Sequence, residues 1–172
     1  MNGISAAKIP ISRSIYELRR RGTASGIIGM FARLFSLLVL LFASWSAYAD
    51  CFDDAAAFHN VNPTILRAIS IVESGNKPYA VNRNSNGSVD YGQMQINSIH
   101  LPELARYHMS QEDLFDGCKS IYTGAWILRK GIDKYGNTWA AIGSYHSSTP
   151  YYRDQYAAKV KAIAERLLAY GQ

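Results

Sequence analysis

From Phe52 onward, apolar residues return every three or four positions along most of the chain, which predicts a succession of amphipathic helices. Phe52 to His59 forms a short first one. Asn62-Pro63 supplies a cap and a proline at the first helical position for a second, whose apolar run Ile65, Leu66, Ala68, Ile69, Ile71, Val72 ends near Ser74, ahead of Gly75. Ser98 starts a short helix through Leu104, and Ser110-Gln111-Glu112-Asp113 is a capping-box-like start to another. The stretch from Lys119 to Tyr135 places Ile121, Tyr122, Ala125, Trp126, Leu128 and Ile132 on one side and stops at Gly136. Thr138 caps a short helix through Tyr145. Thr149-Pro150 opens the last, with Tyr152, Tyr156, Val160, Ile163, Leu167 and Leu168 as its core face before Gly171.

One polar interval breaks the helical period. Asn76 to Val89 is dense in turn formers, and Asn86-Gly87 is a strong hairpin signal that puts Asp90 on the strand leaving the turn. Beyond it, Gln93 and Gln95 alternate with Met94 and Ile96, so one face should meet a cleft and the other the core. The expected fold is therefore mainly α, of the α+β kind: one helical domain with a small β-hairpin lobe, without internal repeat or linker. The spacing Asn82-x-Asn84-x-Asn86-Gly87 is that of a calcium loop without its acidic ligands, since Gln93 stands where the bidentate Glu belongs. His59, His100, His108 and His146 are scattered, and neither metal nor cofactor is expected.

The chain upstream of Asp50 has a different character. Arg33, the apolar stretch from Leu34 to Ala43, and the A-x-A site Ala47-Tyr48-Ala49 make a secretory signal. Residues 1–49 are accordingly assigned as leader and signal peptide, and 50–172 as the exported domain. Met30 is a candidate start, since a signal beginning there would be complete; the alternative is a long basic n-region carrying Lys8, Arg13, Arg19, Arg20 and Arg21. An apolar stretch of about ten residues falls short of the roughly 20 that span a bilayer, so no stable membrane anchor is expected. Nor is Cys51 a lipoprotein cysteine, because Asp50 separates it from the cleavage motif.

This division relocates the charge. Six of the 18 Lys and Arg residues and one of the 13 Asp and Glu residues precede Asp50, which leaves twelve of each sign in the exported part. The net charge of +5 belongs to the leader, and a nucleic-acid partner is not expected. Both cysteines, Cys51 and Cys118, lie in the exported part. An even count in an oxidising compartment favours one disulfide over two free thiols, and closing so long a loop is worth on the order of 4 kcal/mol.

Two carboxylates stand out as chemistry. Glu73 closes the apolar run of the second helix, where burial and the negative end of the helix dipole both disfavour ionisation and keep an acid protonated. Asp90 follows seventeen positions later. Paired carboxyls are the machinery of glycosidic bond cleavage. Their plainer alternatives are a solvated helix-end carboxylate for Glu73 and a turn-stabilising residue for Asp90.

Glu73-Ser74, then Gly92-Gln93-Met94-Gln95-Ile96-Asn97-Ser98, then Ala141-Ile142-Gly143-Ser144-Tyr145-His146 resemble, in order, the signatures of small lysozyme-like lytic transglycosylases that accompany secretion systems, conjugation machinery and pili. Over a shorter stretch, Asn82 to Gly92 and Gln95 to Ser98 resemble the hairpin of animal c-type lysozymes, as does the spacing from Glu73 to Asp90. Both resemblances imply a lysozyme-like helical domain whose hairpin lobe flanks a sugar-binding cleft. They imply Glu73 as the acid and Ser74, Tyr91, Met94, Gln95, Tyr145 and His146 as glycan-binding candidates, with Gln95 presenting its amide to N-acetyl or hydroxyl groups. His146 stands where an Asn is more common, and Ser148 where a Gly is usual. Trp126, Trp139 and Tyr122 have helical spacing and are expected in the core rather than as sugar platforms.

The resemblance implies a periplasmic enzyme that cleaves the β-1,4 bond between N-acetylmuramic acid and N-acetylglucosamine in peptidoglycan strands, leaving a 1,6-anhydromuramoyl end. Local wall opening for a trans-envelope secretion, conjugation or pilus apparatus is the matching role. Two rivals stand beside it. One is a muramidase that uses Asp90 in hydrolysis, which needs a carboxylate separation of about 5 to 5.5 Å; the other is a wall-binding module without turnover.

Overall fold

The computed structural model describes residues 50–171. The basic leader, the apolar stretch and the A-x-A site lie outside them. Six α-helices carry the domain: α1 (Cys51–His59), α2 (Pro63–Ser74), α3 (Leu101–Leu104), α4 (Gly117–Tyr135), α5 (Trp139–Gly143) and α6 (Pro150–Ala169). Between α2 and α3 lie three short strands, β1 (Val81–Arg83), β2 (Val89–Tyr91) and β3 (Ile96–Asn97).

Local chemistry explains most boundaries. Asn62 Oδ1 accepts the Ile65 amide at 3.1 Å to start α2, and Gly75, at φ 64°, lets the chain leave it in the left-handed region. Asp116 caps α4 through the Lys119 amide, and Thr138 caps α5 through that of Ala141. The Ser110 segment departs from its expectation. Asp113 accepts both the amide and the hydroxyl of Ser110, but the turn that follows is the 3-10 helix Glu112–Phe115, too short to propagate as α.

α2 packs on α6, α1 on α4, and α5 sits between α4 and α6. Their shared core centres on Leu66, Ile69, Leu128 and Val160, joined from the hairpin side by Met94, Ile96 and Leu114. The Cys51–Cys118 disulfide, with Cα atoms 5.5 Å apart across a sequence separation of 67, ties the start of α1 to the start of α4. Arg67 on α2 adds ion pairs to Asp50 and Asp53.

The β lobe is an antiparallel sheet in the order β1-β2-β3, with Asp90 opposite Asn82 on one side and Asn97 on the other. The third strand extends the expected hairpin. Gln93 and Gln95 do not alternate along a strand: Gly92 to Gln95 form a tight turn, closed by the Gln95 amide on the Gly92 carbonyl at 3.1 Å. Gly92 is required there, because its φ is 74° and a Cβ would collide with the Leu114 carbonyl oxygen. Met94 and Ile96 still reach the core.

On α6 the buried stripe is Tyr156, Ala157, Val160 and Ala164, narrower than the sequence suggested. Ile163 and Leu167 pack half-buried against the core as expected, whereas Leu168 is exposed and Tyr152 in the first turn is 55% exposed. Trp139, expected in the core, is 42% exposed at the start of α5, while Trp126 and Tyr122 pack against the core as expected. No helix among the described residues is long and apolar enough to cross a membrane.

Candidate active site

Glu73 occupies the last turn of α2, where the helix delivers it to the junction between the helical body and the β lobe. Burial raises its pKa to about 7; the phenol of Tyr156 pulls it down, and the negative charge of Asp90 adds to the rise. Tyr156 Oη donates to Glu73 Oε1 at 2.5 Å. That phenol is supplied by α6, 83 positions away in sequence, because α2 and α6 pack together. Its ring lies parallel to His146 at 5.0 Å between centroids and parallel to Tyr145 at 6.4 Å. Tyr145 Oη in turn donates to the Met94 carbonyl at 2.9 Å. Burial holds both tyrosines well above the ordinary phenol range, so each remains a proton donor.

Asp90 is held differently. Asn97 Nδ2 donates to its Oδ1 at 2.6 Å, and Asn84 Nδ2 and Asn82 Nδ2 donate to its Oδ2 at 2.9 and 3.3 Å. Two of these donors, Asn82 and Asn97, are its cross-strand partners, so sheet register alone puts them on its carboxylate. The asparagines of the polar interval thus orient Asp90. Among the described residues no group of three or more His, Cys, Asp and Glu side chains is placed to hold a metal.

A cavity of about 560 Å³ joins the two carboxyls, with Gln95, Tyr145 and His146 in its wall. Asn84, Ser88 and Asn97 line the hairpin side, and His100 and Ile127 also face it. Gln95 contributes with a restriction: its Nε2 already donates to the Ala80 and Gly92 carbonyls, so its amide nitrogen is occupied by the turn.

Ser74, Tyr91 and Met94, expected at the glycan, are not in this wall. Ser74 Oγ donates to the Gln93 carbonyl at 2.7 Å and accepts the Lys77 amide, fastening the turn to the end of α2. Tyr91 packs edge-on against Phe115. Met94 is fully buried, on the same core side as Ile96, so it cannot meet the glycan. The same turn is anchored by Gln93 Nε2 on Ser70 Oγ and by the Met94 amide on Ser120 Oγ.

Helical spacing puts Tyr156 on the core face of α6 and carries no sign of its contact with Glu73. Nothing local could have shown it, since a core-face tyrosine and an acid-contacting one have the same helical spacing. The Asn84 and Asn97 contacts had a weak signal in the cluster of asparagines around Asp90.

A buried helix-end acid and an amide-held carboxylate, sharing one polar cleft between a helical body and a small antiparallel lobe, define the lysozyme-like class of glycan-cleaving proteins. Within that class, the chain belongs to the transglycosylase SLT domain family, whose model matches residues 50–166. It is similar to protein IpgF of Shigella sonnei, 39% identical over 116 residues that cover 67% of this chain and 76% of the relative. Invasion protein IagB of Salmonella typhimurium is 37% identical over 131 residues, 73% of this chain and 82% of its own length. A peptidoglycan-binding-like protein of Escherichia coli O157:H7 is 32% identical over 149 residues, 80% and 89% of the two chains. Family membership supports lytic transglycosylase chemistry with peptidoglycan as the substrate.

Proposed function

We propose that the chain is an exported, periplasmic lytic transglycosylase that cuts the β-1,4 bond between N-acetylmuramic acid and N-acetylglucosamine, with Glu73 as acid and then base. The observation that carries this reading is the placement of Glu73, a buried carboxyl bonded to Tyr156 in the cavity it shares with Asp90, where burial raises its pKa to about 7. A carboxyl near neutrality can both give and retake a proton at the working pH.

Glu73 protonates the bridging oxygen, and the C1–O bond breaks as the 2-acetamido oxygen of the muramoyl sugar bonds to C1. The Glu73 carboxylate then takes the proton of the C6 hydroxyl; O6 bonds to C1 and the acetamido oxygen leaves it. Glu73 ends protonated, the product is a 1,6-anhydromuramoyl end, and no water is consumed. Asp90, oriented by three amides into the same cavity, stabilises the positive charge that develops at C1.

Mass spectrometry of digested peptidoglycan tests the assignment. Anhydro ends are expected, and Glu73→Gln is expected to abolish release; substantial activity in that variant would sink the reading. The orientation of Asp90 also favours a second reading, a muramidase in which it takes part in hydrolysis. Asp90→Asn separates the two. The transglycosylase slows but still yields anhydro ends, whereas a muramidase, whose unsubstituted form leaves reducing ends, stops. Retention of Glu73 speaks against a module that binds the wall without turnover.

The leader supports export, and N-terminal sequencing of the exported protein should begin near Asp50. The invasion named for IagB and the peptidoglycan binding named for the Escherichia coli relative support local wall opening for a trans-envelope apparatus.

A further inference from the structure

Two tyrosines line the cavity that holds Glu73 and Asp90. Tyr145 is committed: its hydroxyl is bonded to the Met94 carbonyl and its ring stacks on Tyr156. Tyr152 is not, being 55% exposed at the rim, and its hydroxyl has no hydrogen-bond partner among the described residues. Its ring meets Tyr151 edge to face, at 5.3 Å between centroids and 76° between planes. Such a contact steadies the ring and occupies at most one of its faces.

Most of the rest of the wall is amide and hydroxyl, as in Asn84, Ser88, Asn97 and Ser147; Ile127 and the rings of His100 and His146 also line it, and the His146 ring is stacked on Tyr156. A pyranose presents two kinds of surface, hydroxyl and acetamido groups around its edge and C–H bonds on its faces. The polar wall suits the edge. An open phenol ring, electron-rich on its face, suits the C–H bonds. Position agrees with chemistry. Tyr152 is four residues before Tyr156 on α6, so it lies one helical turn, about 6 Å of rise, from the residue that grips the acid. That is about the spacing of neighbouring rings in a glycan strand.

We propose that Tyr152 is a stacking platform for an N-acetylhexosamine ring of the glycan strand, in a subsite next to the one where Glu73 acts. The platform rests on the glycan-cleaving reading above and adds a binding residue that neither the motifs nor helical periodicity identified. Its contribution is made to the bound strand as much as to the transition state, so it acts on KM more than on kcat.

The test uses the exported chain, with binding of an N-acetylglucosamine tetramer and of purified wall sacculi to Glu73→Gln protein, with and without substitutions at Tyr152. Tyr152→Ala is expected to weaken binding about tenfold and, in the active enzyme, to raise KM with kcat within about twofold. Tyr152→Phe and Tyr152→Trp are expected to bind like the parent, because they keep the face. The platform is overturned if Tyr152→Ala binds as tightly as the parent, if Tyr152→Phe loses as much as Tyr152→Ala, or if the parent binds neither probe. Tyr152 is on the surface, and an unchanged thermal midpoint and helical circular dichroism show that a loss is not misfolding. Binding decides the platform independently of catalysis. A silent Glu73→Gln enzyme with undiminished Tyr152→Ala binding removes only the platform, while continued wall release by Glu73→Gln removes the catalytic reading.

Discussion

Glu73 keeps its proton until pH approaches about 7 because burial takes more water from it than its neighbours replace with favourable contacts. Burial outweighs the one strong donor, the Tyr156 phenol, and Asp90 pushes in the same direction as burial. Tyr156 therefore tunes the acid, holding it low enough to part with its proton. Tyr156→Phe removes the contribution that lowers the Glu73 pKa, so the alkaline limb of the kcat profile should move to higher pH. Activity at neutrality should fall about tenfold, in line with loss of a hydrogen bond to a charged group. A pH–rate profile checks this, and an unmoved limb would leave Tyr156 with a packing role only. At this scale the sequence pointed to Glu73, since a carboxyl closing an apolar helical run is visible in one dimension. The hydroxyl that contacts it was not visible.

At the scale of elements, the hairpin lobe is an orienting device. Its register aims Asn82 and Asn97 at Asp90, and its tight turn is pinned to α2 by Ser70 and Ser74 and to α4 by Ser120. The turn depends on Gly92. Gly92→Ala would need a φ of 74° and a place for a methyl where the Leu114 carbonyl already sits, so a loss of roughly 3 kcal/mol is expected in urea unfolding. At the other end, replacing Cys51 and Cys118 by Ser should lower stability by on the order of 4 kcal/mol in the chain-entropy account. Chemical denaturation of the double variant measures it, and a loss near zero would mean that packing on α4 and the Arg67 ion pairs hold α1 without the disulfide.

For the whole molecule, the raised pKa of Glu73 couples the site to folding. A carboxyl whose folded pKa is about 7 and whose unfolded value is ordinary binds more protons in the native state between those limits. Its effect on stability is therefore neutral below the unfolded pKa and increasingly unfavourable as pH rises to about 7, by up to roughly 3 kcal/mol. Glu73→Gln should accordingly gain stability over the parent at pH 8 and little at pH 4. Urea unfolding of the two proteins at both pH values gives the comparison; a gain independent of pH would mean that Glu73 is not buried as an acid. On stability alone, Gln would serve better than Glu at this position above the unfolded pKa.

Several features were determined by the sequence itself. Asn62-Pro63, Thr138 and Gly136 mark helix ends, Asn86-Gly87 marks the hairpin, and an even cysteine count marks the disulfide. Each is a local signal acting over a few residues, or a count that admits one pairing. Tertiary structure decided the rest. It placed Tyr156 against Glu73, chose Met94 for the core while leaving Gln95 at the cleft, and exposed Tyr152 on a helix face that periodicity had assigned to the interior. The physical reason is common to all three: which side of a helix or turn meets water depends on what packs against it, and here those neighbours come from distant parts of the chain.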